Sequence, residues 1–84
     1  MNSETILKEV QEICLKLLRV PPEKVVPQAR LIEDLDMDSL FAAELGLALE
    51  RKFKIEVPEA AILTFKTVAD VAAYVENKLD VSVA

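Results

Sequence analysis

Three stretches of this chain carry apolar residues at helical spacing. The long interval between the first two, opened by a pair of prolines, restricts the fold to a helical domain with one extended connection. From Ser3 to about Arg19, the residues Ile6, Val10, Ile13, Cys14, Leu17 and Leu18 lie on one stripe, with Glu4/Lys8 and Glu12/Lys16 as i,i+4 pairs on the wet side. Pro21-Pro22 stops this helix, because the residue before a proline is pushed out of helical geometry and proline lacks the amide a continuing helix needs. A second helix is predicted from Ser39 to about Phe53, with Asp38 as its N-cap and Ala42, Leu45, Leu49 and Phe53 as its core stripe. Pro58 opens a short apolar segment, Glu59 to Leu63. Thr67 and Asp70 are spaced as a capping box ahead of Val68, Val71, Ala72, Val75 and Leu79, where the last helix is expected to end.

Val20 to Met37 form a connection longer than helical bundles usually use, and Val25, Val26, Leu31, Ile32 and Leu35 are expected to pin it to the core, with a short turn around Ala29 to Glu33. The predicted fold is all-α: a small four-helix bundle of three main helices and one short one, with a long first loop. Residues 1–84 read as one domain, with 80–84 as a frayed tail. Hydrophobic residues make up 52% of the chain but aromatics only 5%, so the interior must be mostly aliphatic and soft in shape.

The composition also limits the chemistry. There is no histidine and one cysteine, which rules out an internal disulfide and, with no histidine to partner the thiol, puts a zinc site out of reach. Cys14 falls on the buried stripe and reads as core filler. Within Asp36-Met37-Asp38-Ser39-Leu40, Ser39 sits at the mouth of the second helix with no base to activate it, so it reads as a group to be modified rather than as a nucleophile of hydrolysis. Asp34, Asp36 and Asp38 imitate the opening of a calcium-binding EF-hand loop. The sixth position would be Ser39 in place of glycine and the twelfth Leu45 in place of glutamate, so no metal site is predicted.

A net charge of −5 argues against nucleic acid and for partners with basic surfaces. Glu33, Asp34, Asp36, Asp38, Glu44 and Glu50 fall in a window without Lys or Arg, around Ser39, and Leu40, Ala43 and Leu47 form an apolar strip among them. That strip rimmed by charge has the anatomy of a docking face. Met1-Asn2-Ser3-Glu4 lacks the basic and apolar regions of a signal peptide and no apolar run approaches bilayer length, so a soluble, cytoplasmic protein is expected. Gly46, the only glycine, lies inside the second helix at a cost of roughly 0.8 to 1 kcal/mol relative to alanine, which close packing or a groove must offset.

Taken together, the residues resemble the acyl carrier protein family. The resemblance runs through Leu31-Ile32-Glu33-Asp34-Leu35-Asp36-Met37-Asp38-Ser39-Leu40, Glu44-Leu45, Leu49-Glu50, Phe53, Ile55, Val57-Pro58, Thr67-Val68 and Tyr74-Val75. It implies that Ser39, flanked by Asp38 and Leu40, carries 4′-phosphopantetheine as a phosphodiester, and that the arm's thiol bears acyl groups as thioesters. It further implies a monomeric non-enzyme serving fatty acid or specialised acyl or lipid biosynthesis. Its partners would be a phosphopantetheinyl transferase and acyl-processing enzymes with basic docking surfaces, reading Asp36, Asp38, Leu40, Ala43, Glu44, Leu47 and Glu50.

On that resemblance, an acyl chain would enter between the second and third helices past Ala42 and Gly46 toward Leu49, Ile62 and Tyr74. Asp36 stands where the family usually has glycine, and the turn is expected to survive because Asp tolerates left-handed geometry. Phe41 and Arg51-Lys52 stand where acids are common in carriers for fatty acid synthesis, which implies a different set of partners. A peptidyl, aminoacyl or polyketide carrier, and an unmodified helical adaptor binding through Leu40, Ala43 and Leu47, are the alternatives left open.

Overall fold

A computed structural model describes residues 2–83, with side chains through residue 79. Among the described residues there are four α-helices and no strand: α1 (Ser3–Leu18), α2 (Ser39–Phe53), α3 (Glu59–Ile62) and α4 (Val68–Val83), with a 3-10 turn at Pro22–Lys24. The Asn2 side chain caps α1 by accepting from the Thr5 N–H at 2.8 Å. The helix stops one residue earlier than expected. Arg19 turns left-handed at φ 54° and its N–H returns to the Leu15 carbonyl at 2.9 Å, so the backbone has left the helix before the prolines are reached. Neither Glu4/Lys8 nor Glu12/Lys16 closes to ion-pair distance. Lys52 instead reaches from α2 to Glu9 of α1 at 3.4 Å.

α1 packs on α4 and on α2, α2 also meets α4, and α3 packs chiefly on α2. One hydrophobic cluster draws residues from all four helices and the long loop, and among the described residues no polar or charged one is buried in it. The expected stripe on α2 was too narrow. Phe41, Leu45, Gly46, Leu49 and Phe53 are buried and Ala42 is half-buried, an arc of about 140° at 100° per residue. A helix packed against three others must bury such an arc, so Phe41, at 6% exposure, belongs to the core rather than to a partner-facing position.

The loop is pinned by Val25, Ala29, Leu31 and Leu35, whereas Val26 and Ile32 face solvent. Its turn runs over residues 31–35, displaced from the expected position. Backbone bonds join it to the start of α4: Leu31 N–H donates to Lys66 O, Val68 N–H to Ala29 O and Ala69 N–H to Pro27 O, at 2.9 to 3.1 Å. These bonds consume amides that a helix start would otherwise leave unpaired. The expected capping box is present, with Asp70 N–H donating to Thr67 Oγ1 and Thr67 N–H to Asp70 Oδ2, both at 3.1 Å. α4 does not end near Leu79, since helical backbone continues to Val83; Ala84 lies outside the described residues.

Candidate functional site

The loop delivers Ser39 to the surface through a short chain of constraints. Leu31 is fully buried, and its carbonyl accepts from the Met37 N–H at 2.8 Å. Between them Asp36 adopts the left-handed conformation at φ 54°, as the substitution for glycine required. Asp38 then caps α2, its carboxylate accepting from the Phe41 N–H at 2.8 Å, and Ser39 becomes the first helical residue. The Ser39 side chain is exposed and its hydroxyl has no hydrogen-bond partner among the described residues. The amides of Ser39 and Leu40 likewise have no acceptor there. The site therefore presents a free hydroxyl beside two free N–H donors at the positive end of a fifteen-residue helix.

Of the residues expected on the docking face, Asp36, Asp38, Leu40, Ala43, Glu44 and Leu47 are exposed, with Leu40 at 67% and Leu47 at 53%. Glu50 departs from that face. It is half-buried and its carboxylate accepts from the Val57 N–H at 3.0 Å, because it lies in the last turn of α2, beside the α2–α3 connection. The acidic window is also less bare than its own sequence implied, since Arg30 just upstream pairs with both Glu33 and Asp34.

A groove of about 470 Å³ runs between α2 and α3, with Ser39 on its lining. Ala42, Gly46 and Ile62 line it as expected. Leu49 does not, being fully buried beneath, and Tyr74 is turned away, its hydroxyl donating to Glu56 O and its ring standing edge-on to Phe65. Val57, Glu59 and Leu63 line the groove without having been anticipated. The only hint of them was that a proline-led apolar segment must lie against something. A Cβ placed on Gly46 would stand 2.7 Å from Ile62 Cδ1, so the glycine offsets its helix cost by receiving that methyl group. Ile62 must shift to admit any larger residue. Gly46→Ala is therefore expected to change the melting point by no more than the equivalent of about 1 kcal/mol, since the helix-propensity gain is opposed by that shift. A large stabilisation would mean that Ile62 moves freely.

Over residues 8–75 the sequence matches the family described as the phosphopantetheine attachment site. It is 46% identical to an acyl carrier protein of Thermosynechococcus vestitus over 94% of this chain and 98% of that protein. It is 45% identical to one of Helicobacter hepaticus over 82% and 91%, and 42% identical to one of Akkermansia muciniphila over 92% and 96%. The chain belongs to the acyl carrier protein family. Its cofactor is 4′-phosphopantetheine.

The residues present fit that group. A phosphodiester on the Ser39 hydroxyl would lie beside the two free amides, and the groove begins at the same side chain. When bound, the arm supplies the thiol on which an acyl carrier holds its cargo as a thioester. The carrier's own thiol is unsuited to that work, because burial pushes Cys14 up to about 11 and leaves its sulfur fully covered in the core. Among the described residues no helix is long and apolar enough to cross a membrane.

Proposed function

We propose that Ser39 is the acceptor of the 4′-phosphopantetheine arm and that the chain, a single domain over residues 1–84, acts as a monomeric, cytoplasmic acyl carrier without catalytic activity of its own. The observation that carries this reading is an unengaged hydroxyl at the start of α2 on the lining of an apolar groove, in a chain of the acyl carrier protein family. With no histidine in the sequence and no base bonded to the Ser39 hydroxyl among the described residues, the reactions of the cargo fall to partner enzymes. Fatty acid or specialised acyl or lipid biosynthesis is the setting that suits an aliphatic groove. Incubation with coenzyme A and a phosphopantetheinyl transferase should add the mass of one arm, and peptide mapping should find it on Ser39.

The transferase and the acyl-processing enzymes are read as basic partners that meet the exposed strip of Leu40, Ala43 and Leu47 beside Asp36, Asp38 and Glu44. Glu44 is fully outward and carries no ion pair among the described residues, so its charge acts on approach rather than on folding. Glu44→Lys is expected to slow association with the transferase by about three- to tenfold at low salt, with the deficit shrinking as salt rises. Stopped-flow rates across a salt series measure it. Equal association rates for the two proteins at low salt would move the docking face off α2.

A further inference from the structure

The α2–α3 connection, Lys54 to Pro58, leads from a left-handed Lys54 into a helix of only four residues that has no side-chain cap. So short a helix has no stability of its own and takes its position from what holds its two ends. At the far end, Phe65 and Val68 are buried in the core. At the near end, Val57 is buried at 5% exposure, and its N–H is bonded to a side chain of α2, the Glu50 carboxylate. No backbone acceptor takes that amide among the described residues. Glu50 and Val57 also both line the groove, and the next turn of the same wall sets Ile62 Cδ1 into the notch left by Gly46. The Tyr74 hydroxyl holds the preceding Glu56 carbonyl from the α4 side, and the Glu50 carboxylate fastens the wall from the groove side.

We propose that Glu50 is a positioning residue that fixes the α3 wall of the groove and thereby confines an acyl chain carried on the arm at Ser39. The proposal rests on the reading of Ser39 and of the groove given above. Glu50 acts through hydrogen-bond acceptance rather than charge: a glutamine at this position keeps an oxygen for the Val57 amide and an alanine does not. With the acceptor gone, the Val57 amide and the wall behind it open more often, and a chain long enough to displace Ile62 is held less securely. A two-carbon acyl group, six carbons shorter than an octanoyl chain, presses far less on that wall and is expected to be unaffected.

The test compares the unmodified, acetyl-loaded and octanoyl-loaded protein with Glu50→Ala and Glu50→Gln, by amide hydrogen exchange and by the rate at which hydroxylamine cleaves the thioester. In the alanine variant Val57 should exchange about tenfold faster or more, while Val10, Leu45 and Val75 exchange as in the parent protein. Octanoyl cleavage should accelerate and acetyl cleavage should not, and glutamine should restore both parental rates. Unchanged Val57 exchange in Glu50→Ala overturns the proposal, as do equal accelerations for the two acyl groups or a glutamine variant that behaves like alanine. General loosening of the fold would instead raise exchange at Val10 and Val75 as well, and that too counts against a local latch. The groove itself is checked in the parent protein. If octanoyl and acetyl forms give the same amide shifts at Gly46 and Ile62, the groove reading fails, whereas failure confined to the variants removes only the role of Glu50.

Discussion

Ser39→Ala is expected to fold as the parent protein does and to gain no mass when incubated with coenzyme A and a phosphopantetheinyl transferase. The effect is all or none because the hydroxyl oxygen is the atom that would bond to phosphorus. Stability should hold within about 0.5 kcal/mol, since the Ser39 side chain makes no hydrogen bond to lose and the cap of α2 belongs to Asp38. The far-UV spectrum and melting curve check the fold, and intact mass checks the modification. The other serine in the described side chains, Ser3, has its hydroxyl donated to Glu76 Oε1 at 2.6 Å and no loop behind it to present it. A mass gain that persists in Ser39→Ala would sink the assignment of the acceptor, whatever residue received the group.

Phe41→Ala should produce a large loss of stability. Phe41 is 6% exposed in a cluster without polar members, and truncating a buried phenylalanine costs roughly 3 to 5 kcal/mol through lost burial and the cavity left behind. A domain of this length has a total stability of only about 4 to 12 kcal/mol, so the variant sits close to unfolding. Urea denaturation with an unchanged slope would measure the loss directly, and the melting point should fall by roughly 4 to 8 °C for each kcal/mol. If Phe41 instead faced partners, the substitution would shift stability by less than about 0.5 kcal/mol and would weaken enzyme binding. The two outcomes do not overlap.

Phe41 also illustrates where sequence reading reached its limit. The helices were visible because local chemistry announces them: prolines after α1, Asp38 and the Thr67/Asp70 pair at the starts of α2 and α4, and periodic aliphatic stripes between. The width of a stripe is not local. Whether a residue 40° beyond the expected arc is covered depends on the neighbours packed on either side of the helix, and periodicity carries no information about them. Val25 and Val26 make the same point, being identical in chemistry and adjacent, yet only the first is buried. Ser39 and the left-handed Asp36 were legible because their requirements are confined to five consecutive residues. The inward turn of Glu50 and the outward turn of Tyr74 were not, because each is set by a backbone group contributed from elsewhere in the chain: the Val57 amide for one, the Glu56 carbonyl for the other.

The bonds between the long loop and the start of α4 bear on the order in which the molecule comes into being. Leu31, Ala29 and Pro27 find their backbone partners at Lys66, Val68 and Ala69 respectively, and Met37 is tied in turn to Leu31, one step from the Asp36 turn that aims Ser39. Contacts so distant along the chain close late, after the local helices have formed. A ribosome that has released only the first two helices has therefore not yet supplied the residues that order the loop behind Ser39. A chain cut short before α4 is expected to hold Ser39 on an unsettled loop and to be a poor substrate for a phosphopantetheinyl transferase.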